Sequence, residues 1–373
     1  MNLLRLKYLI KKEIEQINKD KSILIIAFVV PFLLILIYGY GMSMDIKPVK
    51  AALVCENNAS LATLLQSRLQ GSDYLKIQNV FTHQEGEELL NRHKIDAIVD
   101  IKSNLKSKKD LSDTEILITI DGTSGIFGIT AQSYLQQAIS QALSSDNTKS
   151  PIKSVELISR NWFNEANISN RYILPGQTVG IITLVGAFMC SLVIAREINR
   201  GTFESLIASN VTAFEIMLSK TIPYFVMSLW GSFLTLILIE ILFAIPIRGS
   251  VIFLILTVSA YTLSSTSLGL FISALMKDQF LATEYAILLS FLPAILLSGS
   301  LFDLRSVPDF IAFIGYLIPP TYAVESFRIC FLSGGNTDTL LINLAIIIFY
   351  VVFFSALTVF LLKRGGIKGG RHV

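Results

Sequence analysis

Residues 196–206 read Arg196-Glu197-Ile198-Asn199-Arg200-Gly201-Thr202-Phe203-Glu204-Ser205-Leu206, with long apolar stretches on either side. Charges this dense cannot lie in hydrocarbon, where one at a helix centre costs about 2.5 to 3.5 kcal/mol. The run therefore sits in water between two membrane spans, and it decides the fold: an α-helical polytopic membrane protein. Arg196 to Arg200 carry the preceding helix into water, and Gly201 permits a sharp change of direction. Thr202 is predicted to cap a short new helix with Glu204 in its first turn. Phe203, Leu206 and Ile207 give that helix an apolar face. A capping box, Thr212-x-x-Glu215, starts the helix that enters the next span through Lys220 and Pro223. Such an elbow can receive a push from a partner; the alternative is a surface loop packed only on its own chain.

Composition supports the membrane reading. Of 373 residues, 52% are hydrophobic and 16% charged, and mean hydropathy is +0.60, a balance found in integral membrane proteins. A net charge of +3 without an aromatic-interleaved basic patch argues against nucleic acid as a partner. Cys55, Cys190 and Cys330 are scattered and indicate neither a zinc site nor a disulfide framework.

A hydrocarbon core about 30 Å thick needs roughly 20 apolar residues in helix. Six segments fit: 23–42, 174–195, 221–247, 251–275, 280–302 and 341–362. The first could be a cleaved signal peptide, but its polar leader is long and no A-x-A site follows. Lys and Arg near the span ends set the orientation. Arg5, Lys7, Lys11, Lys12, Lys19 and Lys21 lie in the leader, and Arg196, Arg200 and Lys220 in the loop after the second span. Lys277, Lys363, Arg364, Lys368 and Arg371 fall on the same side, against Arg248 alone in the opposite short loop. Both termini and the elbow are thus expected in the cytoplasm. Tyr38, Tyr40, Trp162, Tyr172 and Tyr316 would form the outer aromatic belt.

The domain plan is a cytoplasmic interfacial helix over 1–22, a first span over 23–42, an extracytoplasmic α/β domain over 43–172, and a five-helix membrane domain over 173–373. In the leader, Leu3, Leu6, Ile10, Ile14 and Ile17 make an apolar stripe, which reads as a helix lying on the membrane or packed on the protein. Within 43–172, strands are expected at 49–54, 95–101 and 116–120, and helices at 60–70, 85–92 and 124–143, with a mobile Lys-rich loop over 102–113. Gly122-Thr123-Ser124-Gly125 lacks the pattern of a nucleotide-binding loop and reads as a helix-start turn. His83 and His93 read as surface residues, and no metal site is expected.

The elbow resembles the signature of the ABC type-2 transporter permease family. Arg196-Glu197, Arg200-Gly201-Thr202, Glu204 and Leu206 match its R-E-x-x-R-G-T-x-E-x-L pattern, with Glu215 and Lys220 continuing it. Farther on, Gly269-Leu270-Phe271-Ile272-Ser273, Leu292-Pro293, Leu297-Ser298-Gly299, Phe302, Pro308, Pro319, Tyr322, Glu325, Phe327-Arg328 and Phe331-Leu332 follow in the family's order. Asn210, Ser219, Asp303 and Arg305 depart from its usual residues. The resemblance implies the permease subunit of an ATP-driven exporter that moves an amphiphilic or drug-like substrate out of the cytoplasm or inner leaflet. No cofactor is expected in this chain, since ATP and Mg would be held by a separate cytoplasmic ABC ATPase. Arg196, Glu197, Arg200, Gly201, Thr202, Phe203, Glu204 and Leu206, on a coupling helix over 202–209, would meet that ATPase. A second copy or close paralogue would complete the pathway in a bacterial inner (plasma) membrane. The large domain after the first span is similar to that of members working in envelope-spanning assemblies, which implies a periplasmic adaptor.

Gly299, Pro308, Pro319 and Pro320 interrupt the apolar pattern before the last span. Non-helical backbone at membrane depth must be buried in protein or line water, so 303–335 is expected to dip back into the outer leaflet. Ser298, Gly299, Phe302, Pro319, Glu325 and Arg328 would form the external gate. Glu240 lies 19 residues beyond Thr221, about 28 Å along the helix. It would anchor at the outer interface with Arg248, or face the pathway and hold a cationic substrate or a proton. The run Ser259, Thr262, Ser264, Ser265, Thr266, Ser267 and Gly269 reads as a helix-packing surface rather than a substrate path. A receptor, whose external domain senses a ligand and signals to a cytoplasmic partner, is the other reading. It leaves the elbow and the six spans unexplained. A membrane enzyme would need a nucleophile and base that the sequence does not cluster.

Overall fold

The computed structural model describes residues 2–41, 48–54, 75–80, 82–92, 94–103, 114–120, 131–139, 169–209, 211–302 and 304–364. Expectations for Cys55, the 60–70 helix, His93, the 104–113 part of the Lys-rich loop, the 122–125 turn, Trp162, Asn210, Asp303, Lys368 and Arg371 fall outside those residues. The described residues group into two compact units, one within Met1–Met44 and Arg160–Val373 and the other within Asp45–Ser159.

The first unit is helical. α1 (Leu3–Lys19) leads into the first candidate span, α2 (Lys21–Gly41). Beyond the second unit, whose helices are α3 (His83–Asn91) and the stretch α4 at 131–139, the chain continues with α5 (Asn170–Asn199), α6 (Thr202–Ala208), α7 (Ala213–Phe243), α8 (Val251–Met276) and α9 (Gln279–Leu296). A bent pair, α10 (Asp309–Tyr316) and α11 (Pro319–Ser333), precedes α12 (Thr337–Arg364). Among the described residues six helices are thus long and apolar enough to cross a membrane, or seven if the bent pair is one span. α7 runs 31 residues, about 46 Å at 1.5 Å per residue. That exceeds the hydrocarbon thickness, so its first two turns, with Lys220, lie beyond a span that sequence places at 221. α9 ends at Leu296 rather than 302, because the Ser298-Gly299-Ser300 turn stops it.

α5 is the centre of the unit. Its most apolar window is 89% buried, against 11% for α12. Trp230, Ile241, Phe280, Phe349, Val352 and Phe360 are each more than half exposed. A soluble protein does not tolerate so much outward apolar surface, and lipid accepts it. Two cores fill the inside. One, with Met189, Ile194, Phe203, Ile216, Tyr224 and Leu270, lies toward the elbow; the other, with Leu174, Ile182, Tyr261, Phe327 and Ile347, lies toward the bent pair. Close backbone approach joins α5 to α8: a methyl at Gly269 would stand 2.3 Å from the Ala187 carbonyl oxygen. This is the small-residue contact by which helices associate in lipid, where the hydrophobic effect offers no drive. The expectation that the α8 small residues pack helices holds at Gly269, at Thr262 against Ser232 (3.0 Å) and at Ser267 against Ser355 (3.3 Å).

The second unit carries a four-stranded sheet of order β2-β1-β3-β4, from β1 (Val49–Val54), β2 (Leu75–Val80), β3 (Ala97–Ser103) and β4 (Thr114–Ile120). β1 pairs parallel with β2 and β3, and β4 pairs antiparallel with β3. α3 (His83–Asn91) joins β2 to β3, and residues 131–139 form the helical stretch α4. Alternation along β1 explains the layers: Val49, Ala51 and Leu53 pack with Ala131, Leu135 and Ile139 of α4, while Ala52 and Val54 pack with Ile98 and, from α3, Leu89 and Leu90. β2 was not expected from sequence. Its Lys76, Gln78 and Asn79 weaken the strand pattern, and as an edge strand it needs only one strongly apolar face.

Candidate functional site

The elbow is built by three local devices. α5 runs on to Asn199, and Gly201 (φ 71°, ψ 1°) takes the left-handed conformation that turns the chain. α6 follows at once. Thr202 is its first residue and does not cap it; the cap position belongs to Gly201, and the Thr202 hydroxyl donates back to the Glu197 carbonyl at 3.2 Å. The capping box forms as expected: the Glu215 amide donates to Thr212 Oγ1 at 3.3 Å and the Thr212 amide to Glu215 Oε2 at 3.0 Å.

α6 turns its apolar side inward. Phe203 is buried and Leu206 half-buried against the inner core. These two residues therefore fasten the helix to its own chain, and Arg200, Gly201, Thr202, Glu204 and Ser205 make its exposed surface.

The sequence did not reveal what holds the elbow from behind. Lys220 of α7 is 1% exposed, and its Nζ lies 2.9 Å from Glu13 Oε1 and 2.7 Å from Glu197 Oε2. Lys12 reaches Glu197 from the other side, and Arg196 pairs with Asp20. The Asn2 amide also donates to Glu215 Oε1 at 2.7 Å. The leader is thus tied by ions to both arms of the elbow, and it packs on α7 through Leu6, Glu13 and Ile17 while Leu3, Leu4 and Tyr8 remain exposed. A signal was present: Glu13 is placed three residues after Ile10 and four before Ile17, a carboxylate on the apolar stripe itself. Glu197 is buried at 3% exposure, so it braces the elbow and is shielded from a partner.

The charges are stable. Burial pushes the Asp20 carboxyl up, but the Arg196 charge and hydrogen bond outweigh it and hold it below its ordinary 3.8. Burial pulls the Lys12 ammonium down, and the hydrogen bond and charge of Glu197, with Glu13, raise it above 10.5. By linkage, Asp20 stabilises the contact above its ordinary value and loses that effect as pH falls through the lowered one. Lys12 contributes below 10.5 and loses its effect as pH rises through the raised value.

At the other end, α10 and α11 bend by 88°. Carbonyls freed at the break are satisfied by side chains: Thr321 donates to Gly315 (2.5 Å), Tyr322 to Tyr316 (2.8 Å) and Tyr350 to Leu317 (2.6 Å). Ser298, Gly299, Glu325 and Arg328 share a cleft of about 360 Å³ with Tyr172 and Arg305. Arg328 lies over the Tyr172 ring at 4.0 Å and donates to the Ser300 carbonyl at 3.1 Å, while Glu325 accepts from Asn343 at 3.1 Å. Gly299 takes φ 81°. Pro319 opens α11 and is buried away from that cleft, and Phe302 is 52% exposed. Glu240 is exposed, 27 residues into α7 and three before its end. His83 lies between Asp100 (3.3 Å) and Glu87 (3.2 Å). Among the described residues no group of three or more His, Cys, Asp or Glu could hold a metal.

Among the described residues the chain thus combines six apolar helices, an elbow in the R-E-x-x-R-G-T pattern and a broken pair before the last of them. The profile of the ABC-2 family transporter proteins matches residues 21–360, and the chain belongs to that family. It is 32% identical over 365 residues to the probable multidrug ABC transporter permease YbhS of Escherichia coli K12, covering 96% of this chain and 97% of that one. YbhR of the same organism, also a probable multidrug ABC transporter permease, is 24% identical over 90% of this chain and 91% of its own. The inner membrane transport permease YhhJ is 27% identical over 60% and 61%. The chain is accordingly an ABC transporter permease subunit, a multi-pass membrane protein whose family implies an ATPase partner.

Proposed function

We propose that this chain is half of the membrane domain of an exporter for amphiphilic or drug-like molecules, with a separate cytoplasmic ATPase docked on the elbow. The observation that carries the reading is mechanical. α6 presents Thr202, Glu204 and Ser205 outward, with Arg200 just before it. Phe203 packs it on the inner core and Thr202 bonds it to the Glu197 carbonyl of α5, whose end the Lys220–Glu13–Glu197 ions fix to the leader and to α7. A displacement of α6 is then passed to α5, α7 and α1 together. Beside it, Lys12, Lys19, Lys21 and Arg200 border a groove of about 660 Å³ with Glu15 and Asp20. That groove suits an ATPase surface of mixed, mainly acidic charge.

In this reading the chain supplies no catalytic residue. ATP binding draws the two partner ATPases together, and the elbows follow. The state facing outward is favoured only because ATP binds it better, which is the differential affinity that any switch requires. Two copies, or one copy with a close paralogue, enclose the pathway. The bent pair within 303–335, with Ser298, Gly299, Phe302, Pro319, Glu325 and Arg328, closes its outer end. Both termini are cytoplasmic, the sheet domain is extracytoplasmic, and a periplasmic adaptor attaches there. Relatives named as probable multidrug permeases support the substrate class.

Sidedness and direction are tested together. In a background lacking Cys55, Cys190 and Cys330, a cysteine at Ser333 should react with an impermeant maleimide added to intact cells, and one at Asn199 only after lysis. Inverted membrane vesicles holding the chain and its ATPase should take up ethidium on ATP addition. Labelling of the Asn199 variant in sealed cells, or ATP-driven uptake only into right-side-out vesicles, contradicts the reading.

A further inference from the structure

We propose that a partly open cavity within a single copy of the chain, lined by Thr183, Tyr261, Ser264, Ser265 and Ser290 beneath the 317–320 break, binds the hydrogen-bonding group of an uncharged amphiphile. The cavity measures about 230 Å³, and Leu268, Leu289 and Phe354 supply apolar wall. Ser264 lies near the middle of α8, so the site is at mid-membrane.

Unpaired hydroxyls mark it. Many other Ser and Thr in the spans donate to the carbonyl one turn earlier, as in Thr178 to Leu174 (2.7 Å), Ser232 to Ser228 (2.8 Å) and Thr235 to Gly231 (2.8 Å). Ser228 of α7, away from the cavity, is another buried serine whose hydroxyl has no partner. Ser264 and Ser290 are 1% and 3% exposed, and neither hydroxyl has a partner. A buried polar group without a hydrogen bond is unfavourable, and most such groups are paired. Two of them line one cavity, next to the hydroxyl pair formed by Thr183 and Tyr261.

The backbone around them is irregular as well. One π-turn, Leu184–Phe188, begins directly after Thr183, and another, Ile287–Phe291, contains Ser290. Such turns inside α-helices recur at functional sites. Packing accounts for Ser265, which lies against Gly186 of α5, while Thr262 and Ser267 bond across to Ser232 and Ser355 and Gly269 meets Ala187; Ser264 makes none of these contacts.

No Asp, Glu, Lys, Arg or His lines the cavity. A cation there would be a buried charge without a partner. An alcohol, amide or carbonyl on an apolar body would instead satisfy Ser264 and Ser290 and fill the remaining wall. The site's role as a substrate site rests on the export reading; its existence does not.

The test uses the chain with its ATPase in lipid nanodiscs and the photoreactive neutral alcohol 3-azioctanol, with a diazirine-bearing octylamine as the cationic control. Peptide mapping should find saturable alcohol labelling within 251–276 and 279–296, displaced by excess octanol, and none by the amine there. The paired change Ser264→Ala and Ser290→Ala should weaken it about fivefold, the equivalent of about 1 kcal/mol. Ser264→Leu, which fills the cavity, should remove it. Labelling confined to lipid-facing residues, equal labelling by the amine, or labelling unchanged in both variants overturns the site. If labelling behaves as expected and no neutral amphiphile changes ATP hydrolysis, the site stands and its role as a substrate site fails; failure of ATP-driven ethidium uptake, by contrast, bears on the export reading alone.

Discussion

Gly201→Val should reduce substrate-stimulated ATP hydrolysis by the complex to its unstimulated level while the chain still inserts and accumulates. No atom lies within 4 Å of the position a Cβ would take there, so the valine has room. The penalty is in the backbone: φ 71° costs an L-residue about 1–2 kcal/mol, and a β-branched one at least that. A domain of this size survives such a loss. α6, whose direction is set by that one residue, does not keep its aim. Glu204→Lys should give the same phenotype by another route. It places a cation in the first turn, against the helix dipole, at about 0.3–1 kcal/mol, and reverses an exposed charge on the docking face. Wild-type stimulation in both variants would remove the docking role from α6.

Lys220→Ala should have the larger effect on folding. It leaves Glu13 and Glu197, each 3% exposed, with only the half-exposed Lys12 to share, 3.6 Å from Glu13 and paired with Glu197 from the solvent side. Breaking a buried ion pair by removing one partner costs up to about 3–5 kcal/mol; Lys12 offsets part of that, and the remainder is enough to loosen the leader on α7. The expected result is a steep fall in recovered complex and trypsin cleavage within 3–19 that the intact protein resists. Glu13→Gln should be milder, because Lys220 keeps Glu197 at 2.7 Å. Equal yield and equal protease resistance of Lys220→Ala and the wild type would show that the ions do not hold the leader.

Where chemistry is local, the chain could be read from sequence. The turn at Gly201, the Thr212–Glu215 capping box and the prolines that break 303–335 each act within a few residues, and the structure contains all three. The apolar spans were equally plain. The bracing of the elbow was hidden because its partners are far apart in sequence: Lys12 and Glu197 are separated by 185 positions, Glu13 and Lys220 by 207. A stripe of leucines and isoleucines says that a leader packs, and only the fold says on what. β2 was missed for the opposite reason, its polar face concealing a strand at the sheet edge. For Glu240, exposure and a place three residues before the end of α7 are what the structure shows. That position serves either an interfacial anchor or a pathway carboxylate.

The central claim, that α6 is where the ATPase pushes, is tested most directly by a photo-crosslinking amino acid at Ser205, an exposed position between Glu204 and Leu206, in membranes that contain the native complex. The account predicts a crosslinked product containing the ABC ATPase, whose yield changes when ATP is added, and none from the same group placed at lipid-facing Phe349. A product at Ser205 that contains only another copy of the chain, or no product with the ATPase at all, would contradict it.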